Sequence, residues 1–114
     1  MTDSPRGAIV SVYATFADES EANRIARAVV EERLAACANI LGPCRSIYRW
    51  QGQIEEAGEV VAVLKTRAEV ADALIARIAA LHSYDVPAIV AWPVTGALDR
   101  YAAWVCNESG DATR

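Results

Sequence analysis

The chain has 114 residues, a formal net charge of −4 and a hydrophobic fraction of 54%. This length predicts a single domain that buries a core without disulfides or structural metal, and the hydrophobic fraction suggests a buried subunit interface. The acidic balance argues against nucleic acid and against anionic membrane surfaces as partners.

Cysteine usage and the start of the chain predict a cytoplasmic protein. Cys37, Cys44 and Cys106 form an odd set without a C-x-x-C pair, which fits reduced thiols better than a disulfide framework. Residues 1–7 are short and polar, with no apolar signal core behind them. The apolar run 8–16 is too short to cross a bilayer, so no membrane partner is expected.

The first elements in chain order are a strand and a helix. Residues 8–16 are apolar and β-branched, as in a well-covered strand. Asp18 and Glu21 then form a capping-box-like pattern, with Asp18 as the N-cap. Apolar residues follow at helical spacing over residues 22–34, which predicts an amphipathic helix.

The second strand is the longest predicted element, covering residues 38–50. Gly42 and Pro43 interrupt it and should bend its ladder. Tyr48 and Trp50 lie near its end, on a strand too long for a small sheet to cover. Such a strand calls for a partner chain, because aromatic residues in this setting are commonly core or interface anchors.

The remaining elements follow the same pattern. A turn at residues 51–53 leads into a short acidic segment, and residues 60–65 predict the third strand. Thr66 and Glu69 repeat the capping-box pattern for a second helix that ends near residue 82. The last two predicted elements are a fourth strand over residues 86–94 and a short helix over residues 98–106.

The order of elements, βαβ followed by βαβ and a final helix, predicts an α+β ferredoxin-like βαββαβ sandwich. Right-handed crossovers give four antiparallel strands with two helices on one face. The final helix covers only part of the other face, so an oligomer is expected. We assign residues 8–106 to this single domain, with flexible ends at 1–7 and 107–114.

Several motifs stand out along the chain. They are AACANI at residues 35–40, the Ser-Ile-Tyr-x-Trp-x-Gly-x-Ile-Glu pattern at 46–55, Lys-Thr at 65–66 and His-x-Tyr-x-Val-Pro at 82–87. Together they resemble the CutA family, described as divalent-cation tolerance proteins. Their order and spacing match over about residues 10–105. The resemblance implies a homotrimer similar in architecture to PII signalling proteins, with the long second strand building intersubunit sheets. It also implies a link to copper or another divalent cation.

Under this resemblance we assign roles to the aromatic residues and to one lysine. Tyr48, Trp50 and Trp92 are expected at the trimer interface. Trp50, Lys65 and Tyr84 are expected to line a ligand cleft between subunits. Lys65 could meet an anionic ligand there, although a structural ion pair fits it equally well.

The candidate metal ligands are Cys37, His82 and Asp85. A Cys37 thiolate would suit copper(I) or zinc, but the residue also fits a small buried hydrophobe at a strand start. The single histidine would offer an imidazole with Asp85 nearby; alternatively, the helix dipole favours it at the helix C-terminus. No Cys/His cluster predicts a dedicated metal cage within one chain. The acidic residues Glu55, Glu56 and Glu59 fit a solvated turn, or a weak cation contact at a neighbouring subunit.

One motif departs from the family pattern. Relatives usually read His-Pro-Tyr-Glu-Val-Pro-Glu, whereas residues 82–88 read His-Ser-Tyr-Asp-Val-Pro-Ala. Ser83 should loosen a turn that proline would fix. Asp85 keeps a charge on a shorter stem, and Ala88 removes a carboxylate, so we expect weaker or different binding at this site.

An enzyme is not expected. The chain lacks a Walker loop, a G-x-G-x-x-G motif and a G-x-S-x-G nucleophile elbow. A Cys37–His82 nucleophile pair would require a third group to orient the imidazole, and Asp85 is the only nearby one. The sequence therefore predicts passive binding of metal or a small ligand in divalent-metal tolerance. The alternative is a structural or adaptor trimer that binds a protein partner, with indirect effects on metal.

Overall fold

The computed structural model describes residues 8–110. The strands and helices, in order, are β1 (Ile9–Phe16), α1 (Glu19–Glu31), β2 (Cys37–Trp50), β3 (Gln53–Arg67), α2 (Ala71–Leu81), β4 (Ile89–Pro93) and α3 (Asp99–Glu108). A 3-10 turn at Ala68–Val70 precedes α2. Between residues 8 and 110, no helix has the length and apolar character needed to span a membrane. The predicted flexible segment 1–7 lies outside the described residues.

The four strands form one sheet in the order β2-β3-β1-β4, and every neighbouring pair is antiparallel. The first βαβ unit is therefore split, because β3 lies between β1 and β2. This is the ferredoxin-like arrangement, and the α+β prediction is confirmed.

Helix α1 begins as the sequence predicts. The Asp18 side chain accepts a hydrogen bond from the Glu21 backbone N–H at 2.8 Å. The Glu21 carboxylate reaches back one residue further than in a standard capping box and accepts from the Ala17 N–H at 2.9 Å. Ala22, Ile25, Ala26 and Val29 are buried, which confirms the predicted apolar stripe.

The main core lies between the sheet and the two helices α1 and α2. On β1, Val12, Ala14 and Phe16 point toward the helices and pair in register with core residues of β3. Alternation along each strand makes this possible, because successive side chains point to opposite faces. Each fully buried aliphatic or aromatic side chain contributes about 1.5–3 kcal/mol. The fully buried large residues are Val12, Phe16, Ile25, Val29, Leu64, Leu74 and Ile78.

The prediction that the third strand covers only residues 60–65 is wrong. Strand β3 begins at Gln53 and pairs with β2 along nearly its whole length. The predicted turn does occur before it, and it is a tight hairpin. Gln51 and Gly52 both have positive φ, of 52° and 81°, as in a type I′ turn. The acidic segment consequently belongs to β3, in the part of this strand that forms a long hairpin with β2.

The second helix begins differently from the capping-box prediction. Thr66 is the penultimate residue of β3 and is fully buried, and its side chain caps neither the 3-10 turn nor α2. In the part of the chain that the structure describes, the Thr66 hydroxyl has no hydrogen-bond partner. Strand pairing with β1 extends through Arg67 and prevents Thr66 from adopting the N-cap position.

The end of the fold also differs from the predicted bounds. Strand β4 is shorter than residues 86–94, since residues 86–88 belong to the loop that precedes it. Helix α3 continues two residues beyond the predicted end at 106, and the buried Ser109 hydroxyl donates to the Val105 carbonyl at 2.6 Å. Within the predicted 107–114 tail, Asn107 and Glu108 are therefore helical and exposed, Ser109 is buried, and residues 111–114 lie outside the described residues.

Helix α3 covers one end of the sheet face that points away from α1 and α2. Ile9 and Ala36 form a second cluster there with Val105 and Cys106. Farther along this face, Trp92 of the edge strand β4 keeps 49% of its surface exposed. The expected partial cover by the final helix is thus confirmed, and the uncovered part of the face contains the candidate site.

Candidate functional site

A cleft of about 510 Å³ opens on the uncovered side of the sheet. Its volume lies in the range typical of small-molecule sites. Strands β1, β2 and β3 and the α2–β4 loop supply its walls. The lining residues are Tyr13, Thr15, Ser46, Tyr48, Trp50, Glu55, Glu59, Tyr84, Asp85, Val86 and Ala88.

Alternation along the hairpin brings the polar and aromatic walls together. Ser46, Tyr48 and Trp50 occupy every second position of β2 and therefore share one face. Glu55 pairs directly with Tyr48, and Glu59 lies on the same face four residues further along β3. Glu55 and Glu59 of the acidic segment thus face a cleft, whereas Glu56 lies on the opposite face.

Glu59 is the central polar residue of the cleft and is only 9% exposed. Its carboxylate accepts hydrogen bonds from the Ser46 hydroxyl at 2.5 Å and from the Tyr84 hydroxyl at 2.8 Å. Burial, together with the hydrogen bond to Glu59 and its charge, raises the pKa of Tyr84 well above the ordinary value. Tyr84 therefore remains a proton donor to Glu59 at physiological pH.

The other carboxylates are Glu55 and Asp85. The Tyr48 hydroxyl lies 3.5 Å from a Glu55 carboxylate oxygen. Desolvation and the charges of Glu55 and Glu59 raise the pKa of Tyr48. Asp85 is exposed on the α2–β4 loop.

Every charged lining residue is an acid, since the lining within residues 8–110 contains no lysine, arginine or histidine. We call this site the anionic cleft, defined by the lining residues given above. A concave site of one sign raises the local concentration of opposite charges and disfavours like ones. The anionic cleft can therefore bind a cation and disfavours an anion.

His82 fixes the beginning of the loop that carries Tyr84 and Asp85. Its buried imidazole donates through Nε2 to the Thr15 carbonyl at 2.8 Å and accepts at Nδ1 from the Tyr84 N–H at 3.1 Å. The ring also stacks on Phe16, with centroids 5.1 Å apart. Because a carbonyl only accepts and a backbone N–H only donates, these two bonds place the proton on Nε2 and a lone pair on Nδ1, which is the neutral tautomer. Both nitrogens are occupied, so His82 offers no free lone pair to a metal.

Glu21 holds the same loop from the helix side. Its second carboxylate oxygen accepts from the Ser83 N–H at 2.7 Å, across 62 residues of sequence. Burial alone would raise the pKa of Glu21, but hydrogen bonds from Ala17 and Ser83 bring it below 4.5. The sequence indicated the capping role of Glu21 but carried no signal for this long-range contact.

The expectation that Ser83 loosens the loop is wrong, because its N–H donates to Glu21 and helps to fix the loop. A proline, usual at this position in the family pattern, has no N–H and could not make the bond to Glu21. The other two departures, Asp85 and Ala88, both line the anionic cleft. All three unusual residues thus lie in the loop that borders the site.

Cys37 lies at a different part of the sheet. It pairs with Lys65, six residues along β3 from Glu59, which corresponds to about 20 Å in an extended strand. The Cys37 sulfur is 3.5 Å from the Tyr101 hydroxyl. Burial and this contact raise the pKa of Tyr101 to about 12.

The three predicted metal ligands do not converge within one chain. In the described ranges, no three Cys, His, Asp or Glu side chains lie close enough to share an ion. Cys37 is remote from the anionic cleft, His82 is fully hydrogen-bonded behind it, and Asp85 lines it. A site completed by another subunit stays a prediction.

The predicted ligand-cleft residues are brought together only in part. Trp50 and Tyr84 line the anionic cleft, whereas Lys65 does not. Of the three predicted interface aromatics, Tyr48 and Trp50 are each 40% exposed at the cleft. Trp92 lies on the edge strand β4, at the opposite edge of the sheet from β2, and its ring contacts that of Tyr13 with centroids 5.3 Å apart. Their role in a trimer interface stays a prediction.

Solved structures of similar chains confirm the architecture. A divalent cation tolerance protein (Cut A1) from Thermus thermophilus superimposes with a TM-score of 0.87 at 42% identity, covering 90% of this chain and 99% of that one. CutA1 from Oryza sativa superimposes with a TM-score of 0.88 at 33% identity, over 92% of this chain and 96% of that one.

Sequence comparison gives the same relationship. The chain is 43% identical to the divalent-cation tolerance protein CutA of Pyrococcus horikoshii, over 89% of its own length and 98% of the relative. It is 35% identical to the chloroplastic CutA of Arabidopsis thaliana over 88% of its own length, but it spans only 55% of that protein. It likewise spans about half of the rice and mouse relatives, 58% and 56%. The family model for the CutA1 divalent ion tolerance protein matches residues 10–108, and the chain therefore belongs to the CutA1 family.

Proposed function

We propose that this protein acts in tolerance of, or response to, divalent metal, with copper the first candidate. It binds the ion passively, without turnover, as a cytoplasmic homotrimer. Relatives named divalent-cation tolerance proteins support the involvement of metal. The observation that carries the proposal is the anionic cleft, whose charged lining consists entirely of carboxylates.

Oxygen ligands can hold a divalent cation in the anionic cleft, although weakly in a single chain. Each Glu59 oxygen already accepts one hydrogen bond, from Ser46 or from Tyr84, and keeps one lone pair. Glu55 and Asp85 add carboxylates nearby without forming a closed cage. A neighbouring subunit would complete the coordination, as the proposal of intersubunit clefts requires.

The exposed sheet edges support a homotrimer. Within residues 8–110, β2 has no partner strand on its outer side, and Leu41 and Ile47 on it are each 65% exposed. Unpaired long edges invite aggregation unless they are covered. Pairing of β2 with the β4 edge of another copy would cover β4, which has 5 residues, and part of β2, which has 14. The cytoplasmic location is supported by the cysteine usage, an odd number of three with no C-x-x-C pair, which fits reduced thiols better than a disulfide framework.

Anaerobic equilibrium dialysis against copper and zinc tests the proposal. Wild type is compared with Glu59→Gln and with Glu56→Gln, a control on the same strand whose side chain lies on the opposite face. We expect saturable binding near one ion per subunit or per trimer, lost in Glu59→Gln and retained in Glu56→Gln. Sedimentation of each sample checks that the trimer is intact.

Two further variants test whether the predicted metal ligands outside the anionic cleft, Cys37 and His82, contribute to metal binding. Cys37→Ser tests whether a thiolate from another subunit contributes. His82→Ala should weaken metal binding only indirectly, about as much as Glu21→Ala, because both variants release the loop that carries Tyr84. Binding that is non-stoichiometric, or equal in Glu59→Gln and Glu56→Gln, would contradict the proposed site. That result would favour an adaptor trimer that binds a protein partner and affects metal tolerance only indirectly.

A further inference from the structure

The anionic cleft is larger and more aromatic than a metal ion requires. It encloses about 510 Å³ and presents four aromatic side chains, Tyr13, Tyr48, Trp50 and Tyr84. Its carboxylates are also dispersed, because no three acidic, cysteine or histidine side chains within the described residues could share one ion. Dispersed charges and broad aromatic walls fit a cation with more than one charged group and an apolar body.

The two glutamates set the length of such a ligand. Glu55 and Glu59 lie four residues apart on one strand, so their backbone positions are about 13 Å apart. Each has a tyrosine hydroxyl beside it, at 3.5 Å for Tyr48 and Glu55 and at 2.8 Å for Tyr84 and Glu59. The cleft thus contains two similar acceptor sites with apolar ring surface around them.

We propose that the anionic cleft binds a linear aliphatic diamine or polyamine whose ammonium groups reach Glu55 and Glu59. An ammonium group carries only donors, and the remaining lone pairs of each carboxylate accept from it. The methylene chain lies against Tyr48 and Trp50, where it buries apolar surface and places its charges near aromatic faces. This ligand class lies beyond metal tolerance and shares only the cleft with it.

Other ligand classes would contact fewer of the groups that line the anionic cleft. An anion would meet three carboxylates and no basic side chain in the described lining. A neutral aromatic compound would leave Glu59 without a charged partner. A compact metal ion could approach one carboxylate at a time and would leave the aromatic walls without contact. A linear diamine uses both acids and the rings together.

Calorimetric titration with two metal-free diamines tests the proposal. Octamethylenediamine can reach both carboxylates, whereas trimethylenediamine carries the same two charges on a chain that reaches one at a time. We expect one octamethylenediamine per cleft and about tenfold weaker binding of trimethylenediamine, equal to the loss of one charged contact. Octylamine, with one charge on the long chain, should also bind about tenfold more weakly.

Variants identify the two ends of the ligand. Glu59→Gln and Glu55→Gln should each weaken octamethylenediamine about tenfold, and Glu56→Gln on the opposite face should not. In Glu55→Gln the preference for the longer diamine over octylamine should disappear. Glu55 is exposed, so this variant carries the test if the buried Glu59 proves necessary for folding.

Three results would overturn the proposal. They are absence of saturable binding, equal affinity for octamethylenediamine and octylamine, and equal effects of Glu55→Gln and Glu56→Gln. Binding seen only after the oligomer dissociates would also overturn it, because basic side chains of a second copy would then fill the cleft. Since the titrations contain no metal, amine binding and metal binding can each fail without the other.

Discussion

Replacement of Glu21 by alanine should release the loop that carries Tyr84. The Glu21 carboxylate is 6% exposed and accepts from the N–H groups of Ala17 and Ser83, at 2.9 and 2.7 Å. Removing it leaves both donors without their partner. Since Ala17 and Ser83 are themselves exposed residues, water can partly replace the lost acceptor. We therefore expect about 1 kcal/mol for each donor, or about 2 kcal/mol in total.

Urea unfolding at a fixed protein concentration measures this loss. The matched control is Glu19→Ala, which removes an exposed carboxylate from the same first turn of α1. The control should cost only the helix-dipole contribution, about 0.3–1 kcal/mol. Glu21→Ala should also weaken cation binding in the anionic cleft, because Tyr84 loses its anchored loop. Equal destabilisation by the two variants would refute this reasoning.

The contribution of Glu21 should depend on pH in a defined direction. Its pKa is lower in the folded protein than the ordinary 4.5, so the folded state favours the ionised form. The stabilisation is fully present above the unfolded pKa and is lost as pH falls through the folded pKa. The difference in unfolding free energy between wild type and Glu21→Gln should therefore shrink on acidification. A difference that stays constant across this range would contradict the assignment.

Three further substitutions test separate features. Trp50→Ala should weaken assembly by about 2–4 kcal/mol; retained trimer mass in sedimentation would contradict the proposed interface role. Thr66→Val replaces an unpaired buried hydroxyl by a methyl group and should stabilise the protein by up to about 1 kcal/mol in urea unfolding; a net loss would show that the hydroxyl has a partner. Ser83→Pro should cost about 1 kcal/mol more than Ser83→Ala, because both variants lose the hydroxyl that bonds to Glu21 but only the proline also deletes the N–H donor; equal effects would remove the case for the N–H bond.

The parts of the fold that local signals determine were predictable from sequence. The Asp18 cap, the apolar stripe of α1 and the apolar, β-branched run of β1 all depend on residues close together in the chain. The strand order follows from the order of elements and the handedness of crossovers. These features required no knowledge of distant contacts, and the structure confirms them.

The length of β3 was not predictable in the same way. Glu55, Glu56 and Glu59 look like a solvated turn, because acidic residues are uncommon in strands. In the structure, Glu59 is buried by Ser46 and Tyr84, which are 13 and 25 residues away in sequence. A strand whose carboxylates have partners of this kind carries no apolar alternation that would reveal it.

The role of His82 shows why a residue type alone did not define the site. A lone histidine allowed two interpretations, a metal ligand or a charge at a helix C-terminus. It does lie at the C-cap of α2, but its imidazole is neutral and bonded to Thr15 and Tyr84. Its function is to position the loop, and this depends on a backbone carbonyl 67 residues away.

In the loop after α2, the residues that stabilise the fold differ from the residues that line the anionic cleft. His82 fixes the beginning of the loop through contacts to β1, and Glu21 fixes the next residue through the Ser83 N–H. Beyond these anchors, Asp85 and Ala88 line the anionic cleft without contributing to the main core. Substitution at those two positions changes the charge and space of the cleft at little cost in stability. The common scaffold can therefore be kept while the charge and space of the cleft change.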